Sequence, residues 1–376
     1  MSKMSNLAHK TLPYILKPLS WLYGAVTDVR NWLFDHKVLT VEEFDVPVVS
    51  IGNITVGGTG KTPHVEYIAG LLSTSYNVAI LSRGYKRKTR GFILANDNST
   101  PDSIGDEPLQ IYLKLGSRVK VAVCENRRYG IKEILRQFPD TQLILLDDGF
   151  QHRYVKPKVN IVLMDYSRPV YDDSLLPYGR LRESSHQMNR ADMVIVTKCP
   201  SGLSPLSFRL ISKKLGLMPY QKLYYSTYSY GQLLPVFPND RPYHAELVSL
   251  TSRDTVMLVT GVANPRGFVR HFRSYPFKVV VNHFSDHHEF SRSDIEDLKK
   301  RFHALKGERK IIVTTEKDAV RLAYNPYFPV ALKQFIYYIP IGVRMVAEPD
   351  DNDLIGDLKK IYRQVMVYFH ILLEAV

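Results

Sequence analysis

The chain has 376 residues, 45% of them hydrophobic and 23% charged, which suits two packed domains and excludes a disordered or fibrous chain. Fifty Lys and Arg against 37 Asp and Glu leave a formal charge of +13, which favours anionic partners without choosing among phosphorylated substrates, an acidic membrane face and nucleic acid. The two cysteines, Cys124 and Cys199, have no metal-type spacing and exclude a disulfide scaffold.

The first ten residues carry no signal-peptide pattern. From Leu12 to Phe34, Ile15, Leu19, Leu22, Val26, Val29 and Leu33 recur at helical spacing and share one face. Trp21, Tyr23 and Trp32 add interface-seeking aromatics, and Lys10, Lys17, Arg30 and Lys37 add positive charge. Pro18, Asp28, Arg30 and Asn31 interrupt the run, so a helix lying in a membrane interface is expected rather than one that spans it.

An apolar strand over 46–51 then leads into TVGGTGKT, residues 55–62, and a helix is expected over 63–72. Strand, glycine-rich turn and helix make a phosphate-binding loop, with Thr55 standing where the first Gly of the usual pattern would be. Gly57, Gly58 and Gly60 let backbone N–H groups turn inward, and Thr55, Val56, Gly57, Gly58, Thr59, Gly60, Lys61 and Thr62 are the candidate nucleotide contacts. Lys61 can reach the β and γ phosphates, and the Thr62 hydroxyl can ligate Mg²⁺.

A second strand over 77–82 runs into a loop with five basic residues, Arg83, Lys86, Arg87, Lys88 and Arg90, on the edge where open α/β sheets bind ligands. Gly105-Asp106-Glu107-Pro108 opens a helix to Leu115. Carboxylates in a first turn complement the helix dipole, and an exposed carboxylate near the phosphate loop would also serve as a base; both readings stay open for Asp106. A strand over 119–123 and a helix following Asn126 and Arg127 come next. The apolar run 143–146 ends in Asp147 and Asp148, the Walker B arrangement that carries a Mg²⁺-binding carboxylate to the edge beside the phosphate loop. Gln151 and His152 follow, and Arg180 and Arg182 lie in a later loop suited to phosphate or carboxylate contact.

Strands over 159–164 and 193–197 complete an alternation that predicts a doubly wound α/β/α sheet. Residues 222–237 are Tyr-rich and strand-like, punctuated by prolines, and read as a connector. A second α/β set begins with a strand over 255–260, and His283 to Phe290 form a His-rich loop. A closing helix is expected over 353–375. A GTPase-like regulatory module and a nucleic-acid-binding ATPase remain alternatives, although Thr197-Lys198-Cys199-Pro200 and Thr315-Glu316-Lys317-Asp318 do not fit the guanine-binding motif.

Taken together, IGNITVGGTGKTP (51–63), LSRGYKRK (81–88), GDEP (105–108), LLDDGFQHR (145–153), LLPYGRLRE (175–183), VTGVANPRGF (259–268), FSDHHEF (284–290) and TTEKDAVRL (314–322) resemble the tetraacyldisaccharide 4'-kinase family, in family order. Lys86, Tyr178 and Arg180 depart from its usual residues. The resemblance implies ATP- and Mg²⁺-dependent phosphorylation of the 4'-hydroxyl of a tetraacyldisaccharide 1-phosphate, giving lipid IV A. It implies a glycolipid substrate and a lipid surface as partners, no nucleic acid, and a place at the cytoplasmic face of a bacterial inner membrane.

The implied base is Asp106, assisted by His287, with Lys61 on the transferring phosphoryl group and Thr62, Asp147 and Asp148 on the metal. Arg83, Asn126, Arg127, Gln151, His152 and Arg180 are the expected substrate contacts. The expected division is a membrane-associated helix over 1–37, a P-loop kinase domain over 38–220, a connector over 221–245 and a second, smaller α/β/α domain over 246–376.

Overall fold

The computed structural model describes residues 2–200, 202–240, 245–346 and 353–360, with the backbone alone for 2–15. In chain order the elements are α1 (Ser2–Asp35), β1 (Val48–Gly52), α2 (Lys61–Leu72), β2 (Val78–Ser82), β3 (Ile93–Leu94), α3 (Pro101–Ile104), α4 (Asp106–Leu115), β4 (Val119–Val123), α5 (Arg127–Gln137), β5 (Leu143–Asp147), β6 (Val159–Asp165), β7 (Met193–Thr197), α6 (Pro205–Leu215) and β8 (Lys222–Tyr230). They continue with β9 (Leu234–Pro235), β10 (Thr255–Thr260), α7 (Arg266–Arg273), β11 (Lys278–His283), α8 (Arg292–Ala304), β12 (Lys310–Thr315), α9 (Glu316–Ala323), α10 (Val330–Lys333), β13 (Ile336–Ile339) and β14 (Ile341–Val346).

Two sheets result, ordered β14-β8-β7-β6-β1-β5-β2-β4-β3 and β11-β10-β12-β13-β9. The inner strands of the larger sheet pair in parallel, and every residue of β1, β2, β5 and β7 is buried. Helices therefore cover both faces, which is why these strands read as unbroken apolar runs. β1 lies between β5 and β6, and its register sets Ile51 opposite Asp147. The phosphate loop and the Walker B carboxylate thus leave the sheet side by side.

The structure departs from the expected connector. Lys222–Tyr230 is an inner strand of the larger sheet, parallel to β7, and only Leu234–Pro235 joins the smaller one. The chain then returns: β14 pairs antiparallel with β8, and residues 354–360 are helical, with Leu354 and Leu358 in the core of the larger sheet. Tyr-rich alternation marked β8 as a strand, but its partners lie far away in sequence, so nothing local announced them. The rest of the expected closing helix, 361–375, lies outside the described residues.

The apolar stripe of α1 points outward. Leu22 is 65% exposed, Val26 62% and Trp21 75%, and Leu19, Val29 and Trp32 are exposed with them. Ile15 lies outside the described side chains. The opposite face is the one that packs: Ser20, Asn31 and Phe34 are buried, and the Ser20 hydroxyl donates to the Leu175 carbonyl at 3.0 Å. Tyr23 donates to the Arg182 carbonyl at 2.9 Å, and Arg30 to the Gln151 carbonyl at 2.9 Å. No helix among the described residues is long and apolar enough to cross a membrane.

Candidate active site

The phosphate loop is held from three sides. Gly57 and Gly60 take φ of 101° and 93°, left-handed values that only glycine adopts without strain. On one flank, Val56 N–H donates to the Arg180 carbonyl at 2.8 Å, and Arg182 N–H to the Ile54 carbonyl at 2.7 Å. On the other, the Thr197 hydroxyl donates to the Thr59 carbonyl at 2.8 Å, and Lys198 bonds the Gly58 carbonyl while pairing with Asp165 at 2.6 Å. Beneath the loop, the Asn53 amide donates to the Thr59 hydroxyl at 2.8 Å, and Lys61 Nζ lies 3.5 Å from Asn53 Oδ1.

Lys61 Nζ also sits 3.6 Å from Asp148, which Arg182 Nη1 approaches to 3.1 Å. Burial works to raise the Asp148 pKa, but the Lys61 and Arg182 charges outweigh it and hold it low. Asp147 behaves oppositely. It is buried, it takes one hydrogen bond from Ser82 at 2.9 Å, and its Oδ1 has no partner among the described residues. Burial, then the charges of Glu107 and Asp148, push it up to about 6.

Opposite this corner, Asp106 opens α4 and is 6% exposed. The smaller sheet delivers its neighbours. His287, in the loop after β11, has Nδ1 3.5 Å from Asp106, and Arg321 on α9 forms an ion pair with the same carboxylate. Lys317, one turn earlier on α9, donates to Glu107 at 2.7 Å and lies 2.9 Å from His287 Nε2. Burial tends to raise the Asp106 pKa. The His287 hydrogen bond and the Arg321 and Lys317 charges overcome it, leaving the carboxyl well below its ordinary range.

The other expected contacts are placed unevenly. Arg83 is exposed at the end of β2, and Arg180 is exposed in the loop flanking Val56. Gln151 donates to the Asn53 carbonyl at 2.7 Å, so it braces the loop from below. His152 is half-buried, and its Nε2 has no partner among the described residues; burial, then the charges of Arg127, Arg30, Arg128 and Arg83, push it down to about 4. Asn126 caps α5 by accepting the Tyr129 N–H at 3.2 Å. Arg127 is 2% exposed and spends its guanidinium on the Cys124 and Asp147 carbonyls at 2.5 and 3.4 Å, behind the carboxylate rather than in front of it.

The sequence singled out neither Arg321 nor Lys317, although both lie in the TTEKDAVRL motif near acidic residues; Arg182, expected in a loop suited to carboxylate contact, meets Asp148.

A family model described as tetraacyldisaccharide-1-P 4'-kinase matches residues 12–360. The chain belongs to that family. Among similar proteins, the tetraacyldisaccharide 4'-kinase of Bacteroides thetaiotaomicron is 50% identical over 343 residues, covering 90% of each chain. That of Porphyromonas gingivalis strain W83 is 46% identical over 340 residues, covering 89% of this chain and 93% of its own. A solved structure of LpxK from Aquifex aeolicus in complex with ATP aligns with a TM-score of 0.68 at 26% identity, over 94% of this chain and 99% of that one. This member of the tetraacyldisaccharide-1-P 4'-kinase family thus shares with its relatives a fold that spans both sheets.

Proposed function

We propose that this chain transfers the γ-phosphoryl group of ATP to the 4'-hydroxyl of a tetraacyldisaccharide 1-phosphate, giving lipid IV A in lipid A biosynthesis. The observation that carries the reading is that His287, in a loop of the smaller sheet, meets Asp106 at 3.5 Å, while the adjacent Glu107 is within the electrostatic reach of Lys61 and Asp147. The test is radiolabelled phosphate transfer from ATP to that acceptor in detergent; no labelled glycolipid from folded protein would reject the reading.

In this reading the phosphate loop binds the polyphosphate, and Lys61 follows the transferring group. Asp106 accepts the 4'-hydroxyl proton as the new O–P bond forms and the bond to the ADP oxygen breaks. His287 orients Asp106, and the basic residues around the cleft stabilise charge on the phosphoryl oxygens. Arg83, His152 and Arg180 are proposed to meet the acceptor, and Gln151, Asn126 and Arg127 to support the loops that do.

The donor set suits Mg²⁺. Asp147 Oδ1, a buried acceptor with no partner among the described residues, ends β5, Asp148 follows it 3.6 Å from Lys61 Nζ, and Thr62 is buried in the first turn of α2. When bound, Mg²⁺ would neutralise charge on the β and γ phosphates. The outward stripe of α1 is proposed to lie in the inner membrane's cytoplasmic face, presenting the cleft to a lipid acceptor. The proposed domain division follows the sheets. The larger domain takes in β8, β14 and 354–360, and the smaller one runs from about residue 232 to 340.

A further inference from the structure

Behind the phosphate loop lies a polar connection that the reaction as proposed does not use. His64, in the first turn of α2, is fully buried. Its Nδ1 is 2.7 Å from the Gly60 carbonyl, and its Nε2 is 2.8 Å from the hydroxyl of Ser226 on β8. A carbonyl oxygen only accepts, so Nδ1 carries a proton and donates it. Ser226, itself 1% exposed, fixes the far side of the ring.

Gly60 is the residue whose backbone turns the loop into the helix, at φ 93°. In a planar trans peptide the carbonyl of one residue and the N–H of the next point in opposite directions. Holding the Gly60 carbonyl back toward His64 therefore aims the Lys61 N–H into the loop's concavity, where phosphate oxygens are taken. Without that ring, the carbonyl keeps, among the described residues, the His64 backbone N–H at 3.3 Å.

We propose that His64 is a positioning residue for the phosphate loop, turning the Gly60–Lys61 peptide so that its N–H meets the polyphosphate of the nucleotide. The proposal rests on nucleotide binding at this loop, as read above. It also makes β8 a backstop of the site: Ser226 anchors the ring, and a side chain at Gly60 would strike the Tyr228 hydroxyl.

The test is ATP affinity by equilibrium binding, with kcat and the acceptor KM, in full-length His64→Leu, His64→Gln and His64→Asn. An Asn amide nitrogen falls near the position of Nδ1, whereas a Gln amide reaches the position of Nε2. Leu and Gln should weaken ATP binding roughly three- to tenfold, the worth of one neutral hydrogen bond, with the acceptor KM little moved. Asn should restore most of the affinity.

ATP binding as in wild type by the Leu or Gln variant, or an Asn variant no better than Leu, would overturn the proposal. Should the Leu variant not fold, Ser226→Ala keeps the ring and decides: weaker ATP binding supports the proposal, and wild-type affinity ends it. A wild-type chain that binds ATP but phosphorylates no glycolipid rejects the proposed reaction while these affinities still judge His64. A wild-type chain that binds no ATP rejects both.

Discussion

Arg321 reaches from α9 on the smaller sheet to ion-pair with Asp106 at the start of α4 on the larger one, and its Nη2 also lies 3.0 Å from His287 Nδ1. One guanidinium thus occupies both members of the proposed base pair. The Arg321 and His287 contacts both fall on Asp106 Oδ2.

The pair gives the fold a pH-dependent term of definite sign. Asp106 is held below its ordinary range, so its stabilisation is present above the unfolded carboxylate pKa of about 3.9 and is lost as pH falls through the lower folded value. Arg321→Gln removes the ion-pair partner of a buried carboxylate but leaves it the His287 contact and the Lys317 charge, so the cost at neutral pH should fall below the ~3–5 kcal/mol of breaking a buried pair outright. The gap from wild type should narrow as the pH drops below about 4. Urea unfolding of both proteins across that range checks it; a gap of constant size would assign the loss to packing.

Asp106→Asn should lower kcat by roughly 10²–10⁴ while ATP still binds, because a general base is lost and the phosphate loop is not. His287→Ala should fall in a related range. Since Asp106 and His287 sit 3.5 Å apart, the double variant should lose much less than the product of the single losses. Fully multiplicative losses at saturating ATP would make them independent, and wild-type kcat in Asp106→Asn would end the base assignment.

Lys61→Ala and Thr62→Ala should each reduce turnover by about 10²–10³, the scale of losing one preorganised charge-stabilising contact. Lys61→Ala also frees Asp148 from a cation 3.6 Å away, so the remaining activity should need less Mg²⁺. Turnover near wild type in both folded variants would reject the loop assignment.

On α1, Leu22→Glu with Val26→Glu places charge on two exposed positions. Stability should change by no more than about 0.5 kcal/mol per site, as at other surface positions. Binding to anionic vesicles should fall severalfold or more as apolar contact is lost and like charge added. Co-sedimentation equal to wild type would leave the stripe without a lipid role.

The nucleotide half of the site was legible because its chemistry is local. Gly60-Lys61-Thr62 and Asp147-Asp148 each follow an apolar strand, and short motifs of that kind carry their own geometry. Asp106 was legible as a candidate but not as a partner of Arg321, since 215 residues separate them. Arg321 and Lys317 lie four residues apart on a helix that also carries Glu316 and Asp318, a pattern that a solvated helix face shows equally well. The period of α1 was readable too, while the direction of its stripe depended on Ser20 and Tyr23 finding carbonyls far along the chain. β8 and β14 defeated the expected division for the same reason: strand pairing records distance in space, and the sequence records order.

Tyr23 holds the carbonyl of Arg182, and the Arg182 side chain holds Asp148. The residue that faces away from the proposed lipid is therefore two contacts from the proposed metal. The proposed tether would thus also brace the site. A chain cut after residue 35 would lose the Tyr23 brace along with the anchor, so its turnover should drop even on acceptor dispersed in detergent, where no bilayer is left to find. In the proposed arrangement, the face of α1 turned to lipid and the face that holds the Arg182 carbonyl are opposite sides of one helix.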